Sequence, residues 1–373
     1  MSFENLHLVL VGPLPPPAGG MANQTRQLAE LLRGEGARVT LVQTNAAYRP
    51  PWIGGVPGLR AVFRLIPYLV ALWRACGRGD VMHLMANSGW SWHLFAMPAI
   101  LVARLRGMPV VVNYRGGEAG SFLTRAAGLV RPAMRQAAAL VLPSGYLQAV
   151  FQGHGMAGTV VPNIIDMARF HPAAEPRTGL APHLVVARNL EGIYGVDIAL
   201  QAFAQIRQVQ PDASLSIAGS GPELASLQAL AASLGVAAAV RFTGRLDRDE
   251  MAALYRSADV MINASRVDNM PNSVLEALAC GVPVVSTRVG GVPYIVEDEV
   301  TALLVPPDSP GPMAQAVLRL LADETLRRRL VDTGLAEVVR YQWTRVSVLW
   351  LAVYQRALGR VPATGGTVGE ARS

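Results

Sequence analysis

The chain has 373 residues, 51% of them hydrophobic and only 16% charged, a balance that fills buried cores and excludes a disordered chain. At roughly 100–200 residues per domain, that length predicts two domains. All 33 basic residues are arginine, and the net charge of +7 is uneven: residues 1–172 hold 15 Arg against 6 acidic residues (+9), and residues 173–373 hold 18 against 20 (−2), so one half is expected to meet something anionic.

At the start of the chain, Glu4 stands where an export signal would carry basic residues, and the apolar run Leu6–Val11 is only strand length. That run, closed by Gly12-Pro13, predicts a buried parallel strand. A helix over Gly19–Arg33 and a strand over Val39–Val42 follow. The stretch Leu59–Ala75, LRAVFRLIPYLVALWRA, sets Arg60, Arg64 and Arg74 around Phe63, Leu65, Ile66, Leu69, Leu72 and Trp73. Charges interrupt it, and Leu94–Ala103 stops at Arg104, so neither supplies the about 20 apolar residues of a membrane span. A cytosolic protein is expected despite the mean hydropathy of +0.30. A basic, aromatic-bearing segment of this kind can lie on an anionic bilayer. The alternative is a buried helix, and Pro67 interrupts a clean helical face. Strands at Val81–Leu84, Val110–Asn113 and Leu140–Pro143, with a helix near Ser91–Arg106, continue a βα alternation that implies a parallel sheet.

The tract Pro172–Pro182 reads as a linker, which makes residues 1–172 the first domain. The second, 173–341, repeats the alternation: strands at Leu184–Ala187, Leu215–Ala218, Val240–Phe242, Val260–Asn263 and Val284–Ser286, and helices at Val196–Gln208, Leu224–Leu234, Arg248–Ser257 and Asn272–Cys280. A last helix, Trp343–Leu358 within 342–360, is expected to cross back to the first domain, and the Gly/Thr-rich tail 361–373 is expected to be disordered. Open α/β sheets bind ligands at the carboxyl ends of their strands, so two such sheets facing across a cleft would offer two half-sites.

The densest chemical signal is Asn263–Gly291, NASRVDNMPNSVLEALACGVPVVSTRVGG. Asp268 sits on the loop after a strand, and a helix opens near Pro271, a residue suited to a first turn. Exposed N–H groups at a helix start favour an anion such as a diphosphate. Asn272, Ser273 and Glu276 share one helix face, and a carboxylate one turn inside the helix can accept hydrogen bonds from two ribose hydroxyls.

This segment resembles glycosyltransferase family 4, whose pattern has two acidic residues eight positions apart before an ALACGVPVV-like strand entry. Here the pair is Asp268 and Glu276, with Asp268 standing where the family usually has Glu. The resemblance implies the GT-B fold, two Rossmann-like α/β domains facing across a cleft, and a retaining transfer of a hexose-type sugar without a metal or other cofactor. It gives Glu276 the nucleotide ribose, Asp268 the transferred sugar, and the loop Asn269, Met270, Pro271, Asn272 and Ser273 the sugar and phosphates. The likeness extends to VPNIIDMARFHP (Val161–Pro172) between the domains, and to Leu184–Glu191, which implies Arg188 and the adjoining Asn189 at the donor phosphates. Tyr194 replaces the family's usual Lys, one cation fewer. IAGSGPE (Ile217–Glu223) resembles the family's Gly-rich turn, which implies Gly219 and Gly221 as donor contacts. In the first domain PPPAGGM (Pro15–Met21) resembles the first strand–helix loop, where Gly19 and Gly20 would let N–H groups approach the diphosphate. VVVNYRGG (Val110–Gly117) resembles a strand usually ending in a His beside the reaction centre; this chain has Arg115 there, which can hold phosphate or an anionic acceptor but cannot act as a base. Glu118 could touch the acceptor hydroxyl or simply open a helix. The partners implied are a nucleotide-sugar donor and a lipid-linked or glycan acceptor, with an anionic membrane surface suggested by charge and no nucleic acid.

Other features have plainer explanations. Asp247-Arg248-Asp249 has the D-x-D spacing of metal-dependent transferases of another fold, but it opens a helix, where N-capping is expected. His83 and His93 lack metal spacing, Cys280 reads as core, and Arg327–Arg329 as a solvated helix face. Two alternatives to a transferase stay open: a nucleotide-sugar epimerase on the same fold, and a non-catalytic nucleotide-sugar-binding protein. A phosphorylase would need a pyridoxal-anchoring lysine, and there is none.

Overall fold

The computed structural model describes residues 2–16, 19–48, 52, 55–56, 59–174 and 181–360, without the side chains of 59–62. The expected disordered tail (361–373), the middle of the linker (175–180) and two residues of the PPPAGGM loop, Pro17 and Ala18, lie outside the described residues.

Runs of aliphatic residues such as VMHLMA and VVVNY can be buried on both faces only in a sheet covered by helices on each side. They do so here in two compact units: Met1–Leu142 with Val150–Val161 and Ser347–Ser373, and Pro143–Ala149 with Pro162–Val346. In the first unit, β1 (His7–Gly12), β2 (Arg38–Gln43), β3 (Val81–Ala86), β4 (Val110–Tyr114), β5 (Ala139–Leu142) and β6 (Thr159–Val160) form a parallel sheet in the order β2-β1-β3-β4-β5-β6. Around it run α1 (Gly20–Gly34), α2 (Leu59–Cys76), α3 (Met97–Leu105), preceded by a π-helical turn at Trp92–Ala96, and α4 (Ala119–Met134); α5 (Gly145–Gly153) is divided, its residues grouping with the first unit from Val150 onward. The π turn carries His93, a half-buried ring edge-on to Trp90 and Phe122. Pro67 does not break α2. The helix runs through it, burying Tyr68, Leu72, Ala75 and Cys76 at helical spacing.

In the second unit β7 (His183–Ala187), β8 (Ser214–Ala218), β9 (Val240–Gly244), β10 (Val260–Asn263), β11 (Val284–Thr287) and β12 (Leu303–Val305) are ordered β12-β11-β10-β7-β8-β9. That is the doubly wound order in which the chain reverses direction between β7 and β10, and ligands bind such sheets at the carboxyl side of that reversal. Its helices are α6 (Val196–Val209), α7 (Leu224–Ser233), α8 (Arg248–Arg256), α9 (Asn272–Ala279), α10 (Pro310–Ala322) and α11 (Glu324–Val338). The last helix, α12 (Trp343–Ala357), is divided: from Ser347 onward it groups with the first unit, where Trp350, Val353 and Tyr354 are buried. Cys280 is buried at the end of α9, and Arg327 and Arg328 pair with Glu324 on the surface of α11.

Asp247 and Asp249 do what the sequence predicts of a helix start. Asp247 Oδ1 accepts from the N–H groups of Asp249 and Glu250, both at 2.9 Å, while Glu250 Oε2 accepts from the Asp247 N–H at 2.8 Å. Among the described residues no group of three His, Cys, Asp or Glu could hold a metal ion. Asp247→Ala is expected to cost about 1 kcal/mol of stability and Asp247→Ser almost none, as for other N-caps. Urea denaturation of the two variants checks this.

Candidate active site

The reversal point of the second sheet puts the ends of β7 and β10 side by side. Arg188 is the first residue beyond β7, and Asp268 lies on the loop beyond β10. They form a mostly buried ion pair in which Arg188 Nη2 donates to Asp268 Oδ2. Arg188 Nε donates to Asn263 Oδ1 at 3.0 Å, and Ser265 Oγ donates to the same oxygen at 2.8 Å. Asn263 is fixed in turn by its Nδ2–H to Ser286 Oγ at 2.9 Å. Burial raises the pKa of Asp268. Arg188, Ser265 and the N–H groups of Asn269 and Met270 oppose that rise by stabilising the carboxylate.

The departure at Tyr194 has a structural counterpart. The Arg188 guanidinium lies 5.2 Å from the centroid of the Tyr194 ring. A face-on ring seats the one cation that remains instead of adding a second.

Glu276 stands one turn inside α9. Burial pushes its pKa up to about 7, against the counter-effects of Arg248, Tyr255 and Arg188. Tyr255 O–H donates to Glu276 Oε2 at 3.3 Å. Arg188 thus acts on both acids of the eight-residue pair. Pro271 occupies the N-cap of α9 and supplies no capping side chain, and Ser273 Oγ is buried there without a hydrogen-bond partner among the described residues. Asn272 Oδ1 and the Met270 carbonyl both receive Nδ2–H bonds from Asn163, at 2.5 and 3.3 Å, so the segment VPNIID ties down the loop.

Glycine placement shows which turns are forced. At Gly219 φ is +152°, and a Cβ would lie 1.9 Å from the Arg188 carbonyl oxygen; at Gly221 it would lie 2.2 Å from that of Leu190. The GSG turn is therefore required to let the loop after β7 pass, which accounts for both glycines without a ligand. Gly290 and Gly291 were not singled out by the sequence reading. A Cβ at Gly291 would lie 1.7 Å from the Asn269 carbonyl oxygen, and the Gly291 N–H donates to the Asp268 carbonyl at 2.8 Å. These two residues form the floor under the Asp268 loop. Asn189 is exposed, its amide directed to Glu191 Oε1 at 3.2 Å.

In the first unit Gly19 caps α1 and Gly20 begins it, and a Cβ on either would meet nothing within 4 Å. Among the described residues, packing does not demand these two glycines. Arg115 follows β4 directly. Its N–H donates to the Ala86 carbonyl at 2.9 Å and its Nε donates to Asn113 Oδ1 at 2.7 Å, while burial lowers its pKa. Glu118 is exposed at the N-cap of α4 and its side chain caps nothing. Sequence reasoning missed Asn263, Ser265, Tyr255 and Arg248, and it set aside His83, which joins the surroundings of Arg115 through Asn113.

Residues 172–336 match the family described as glycosyl transferases group 1, and residues 18–169 match glycosyltransferase family 4. The chain is also 32% identical to a glycogen synthase of Mycobacterium tuberculosis over 75% of its own length and 69% of that protein's. The chain belongs to glycosyltransferase family 4. It is a glycosyltransferase with the GT-B fold. A second family 4 relative, 29% identical over 88% of this chain and 92% of its own, is the GDP-mannose-dependent alpha-(1-6)-phosphatidylinositol monomannoside mannosyltransferase of Mycolicibacterium smegmatis. The Anabaena HepE structure in complex with UDP-glucose superposes with a TM-score of 0.72 at 16% identity, covering 95% of this chain and all of that one.

The raised pKa of Glu276 has a definite consequence for stability. Its folded-state value of about 7 exceeds the ordinary 4.5, so its contribution is fully present below pH 4.5 and is lost as pH rises through 7. Glu276→Gln is expected to gain roughly 2–3 kcal/mol of unfolding free energy at pH 8 and much less near pH 5. Urea melts at the two pH values check this, and an equal effect at both would contradict a buried, titrating carboxylate.

Proposed function

We propose that this glycosyltransferase moves a hexose-type sugar from a nucleoside-diphosphate sugar to an alcohol, with retention at the anomeric carbon and without a metal ion. The observation that carries the reading is the convergence of Arg188, Asp268 and Glu276 at the reversal point of the second sheet. In this reading Glu276 accepts the two ribose hydroxyls, and the start of α9 with Arg188 takes the diphosphate. The negative charge that develops on the leaving phosphate is then met by the Arg188 guanidinium and the N–H groups at the start of α9, and in the first unit Arg115 and the Gly20 N–H are taken as further substrate-facing groups. Asp268 is a poor nucleophile, because Arg188, Ser265 and two backbone N–H groups engage its carboxylate. Attack by the acceptor hydroxyl on the face the diphosphate leaves fits that arrangement better than a covalent sugar–enzyme intermediate.

The acceptor we propose is lipid-linked or a growing glycan, in cell-surface polysaccharide or glycolipid synthesis at the inner face of the cytoplasmic membrane. Beyond the basic charge of residues 1–172, the support comes from α2. Phe63, Ile66, Val70 and Trp73, spaced 3, 4 and 3 apart, are exposed along it, opposite its buried face. Leu101 and Leu105 on the neighbouring α3 are exposed as well. Arg106 lies over the Trp73 ring at 4.8 Å, and Arg74 and Arg104 are exposed beside the stripe. No helix among the described residues is long and apolar enough to cross a membrane. An apolar stripe flanked by guanidinium groups suits the headgroup level of an anionic bilayer. The relative that acts on a phosphatidylinositol mannoside has an acceptor of this class.

Incubation with UDP-, GDP- and ADP-hexoses in excess EDTA is expected to give turnover with at least one donor. Glu276→Ala should weaken that nucleoside diphosphate by more than about tenfold in calorimetry, the loss of charge-assisted bonds worth roughly 1.5–3 kcal/mol each. Unchanged affinity would remove Glu276 from the ribose site, and activity that needs added magnesium or manganese would overturn the metal-free reading. For the membrane, sedimentation with phosphatidylglycerol vesicles is expected at low salt and release at high salt. Ile66→Glu with Trp73→Glu should abolish it, whereas a chain that never sediments points to a small soluble acceptor.

A further inference from the structure

β3 reads VMHLMA, and its one polar residue, His83, is completely buried between β1 and β4. An unpaired imidazole there would be costly, so both of its nitrogens need partners. Nδ1 lies 2.7 Å from Tyr354 Oη on α12, and Nε2 lies 2.9 Å from Asn113 Nδ2. Asn113 is fully buried, and its Oδ1 accepts the Nε–H of Arg115 at 2.7 Å.

The direction of every bond follows from Arg115. A guanidinium only donates, so Asn113 must turn its oxygen to Arg115 and its NH2 to His83. Nε2 of His83 must then be the bare nitrogen, and its proton sits on Nδ1, from which it is donated to Tyr354 Oη. The second Nδ2 hydrogen of Asn113 has Met85 Sδ at 3.3 Å. Protonation of His83 would set an N–H against the Asn113 NH2. Burial, with the nearby charge of Arg115, holds the His83 pKa down to about 3, so the ring stays neutral. Trp350 packs on the imidazole with ring centroids 4.6 Å apart, and Tyr354 stacks on Trp350 at 5.7 Å.

We infer that Tyr354, His83 and Asn113 form a polarised relay, anchored on the last helix, that positions the Arg115 guanidinium for the reaction. The inference rests on the reading of Arg115 as a substrate-facing cation. The three are positioning residues: they reach the substrate only through Arg115. A relay of donors and acceptors fixes one rotamer of a long side chain, and sub-ångström placement of a charge beside a reacting phosphate or acceptor is what kcat responds to.

Tyr354→Phe removes one hydroxyl and keeps the ring stack. It is expected to fold like the parent by circular dichroism, to lower kcat by about tenfold, and to leave the donor KM within about twofold. In an Arg115→Ala background the same change should have no further effect on rate, the non-additivity of residues that act as a unit. An equal loss of rate in both backgrounds, or no loss in the parent, overturns the relay. Full activity of Arg115→Ala alone would instead remove Arg115 from the reaction, and with it the functional consequence drawn here. Nitrogen NMR of His83 tests the hydrogen-bond direction apart from activity. The proton is expected on Nδ1 in the parent and on Nε2 in Asn113→Asp, whose carboxylate can only accept. A proton on Nε2 in the parent overturns the relay whatever the rates.

Discussion

A guanidinium carries five N–H donors and no acceptor, and in a chain without lysine it is the only side chain that keeps a positive charge at any ordinary pH. Much of the polar architecture at the strand ends follows from that asymmetry. Around Arg188 the partners are all acceptors: the Asp268 carboxylate, the Asn263 amide oxygen and the face of the Tyr194 ring. The Asn263 amide is oriented because Arg188 claims its oxygen, leaving its NH2 for Ser286. Around Arg115 the same rule orients Asn113 and, through it, His83. Two positions in different sheets thus solve one problem alike, with an asparagine at a strand end turning its oxygen to the arginine that follows a strand.

The fold was largely legible. Aliphatic runs bounded by Gly, Pro and polar clusters located ten strands to within a few residues, because a doubly covered parallel strand has little freedom of composition. The two strands missed, Thr159–Val160 and Leu303–Val305, are too short to have a pattern. The helices α5 and α10 lie outside the elements read from sequence, and of α11 only the solvated face at Arg327–Arg329 was read, although Pro310 in a first turn and Asp323, which caps through the Leu326 N–H, are both start signals. Pro67 misled in the other direction: it suggested an interrupted helix, whereas α2 runs through it.

The site was legible where residues act within one segment. The loop and helix from Asp268 to Glu276 are contiguous, so spacing alone sets Asp268 just before the helix and Asn272, Ser273 and Glu276 on one of its faces. What could not be read was tertiary: that Arg188 spans 80 residues to reach Asp268, or that Asn163 ties down the Met270 loop from 107 residues away. The glycines make the same point. Gly19, Gly20, Gly219 and Gly221 look equivalent in sequence, yet among the described residues packing requires only the second pair, and a Cβ on either of the first pair would meet nothing within 4 Å. A pattern shows that a side chain is missing, and only three dimensions show what takes its room.

The division of α12 has a consequence for how the chain is made. Tyr354, whose hydroxyl is the hydrogen-bond partner of His83 Nδ1 in the middle of the first unit's sheet, lies 271 residues further along the chain. A ribosome adding about 5–20 residues per second needs on the order of ten seconds to a minute to cover that distance. For that interval β3 has been synthesised with a buried-to-be imidazole and no partner for its Nδ1, while the whole of the second unit emerges and can close its own sheet. The half of the protein translated first is therefore the half completed last.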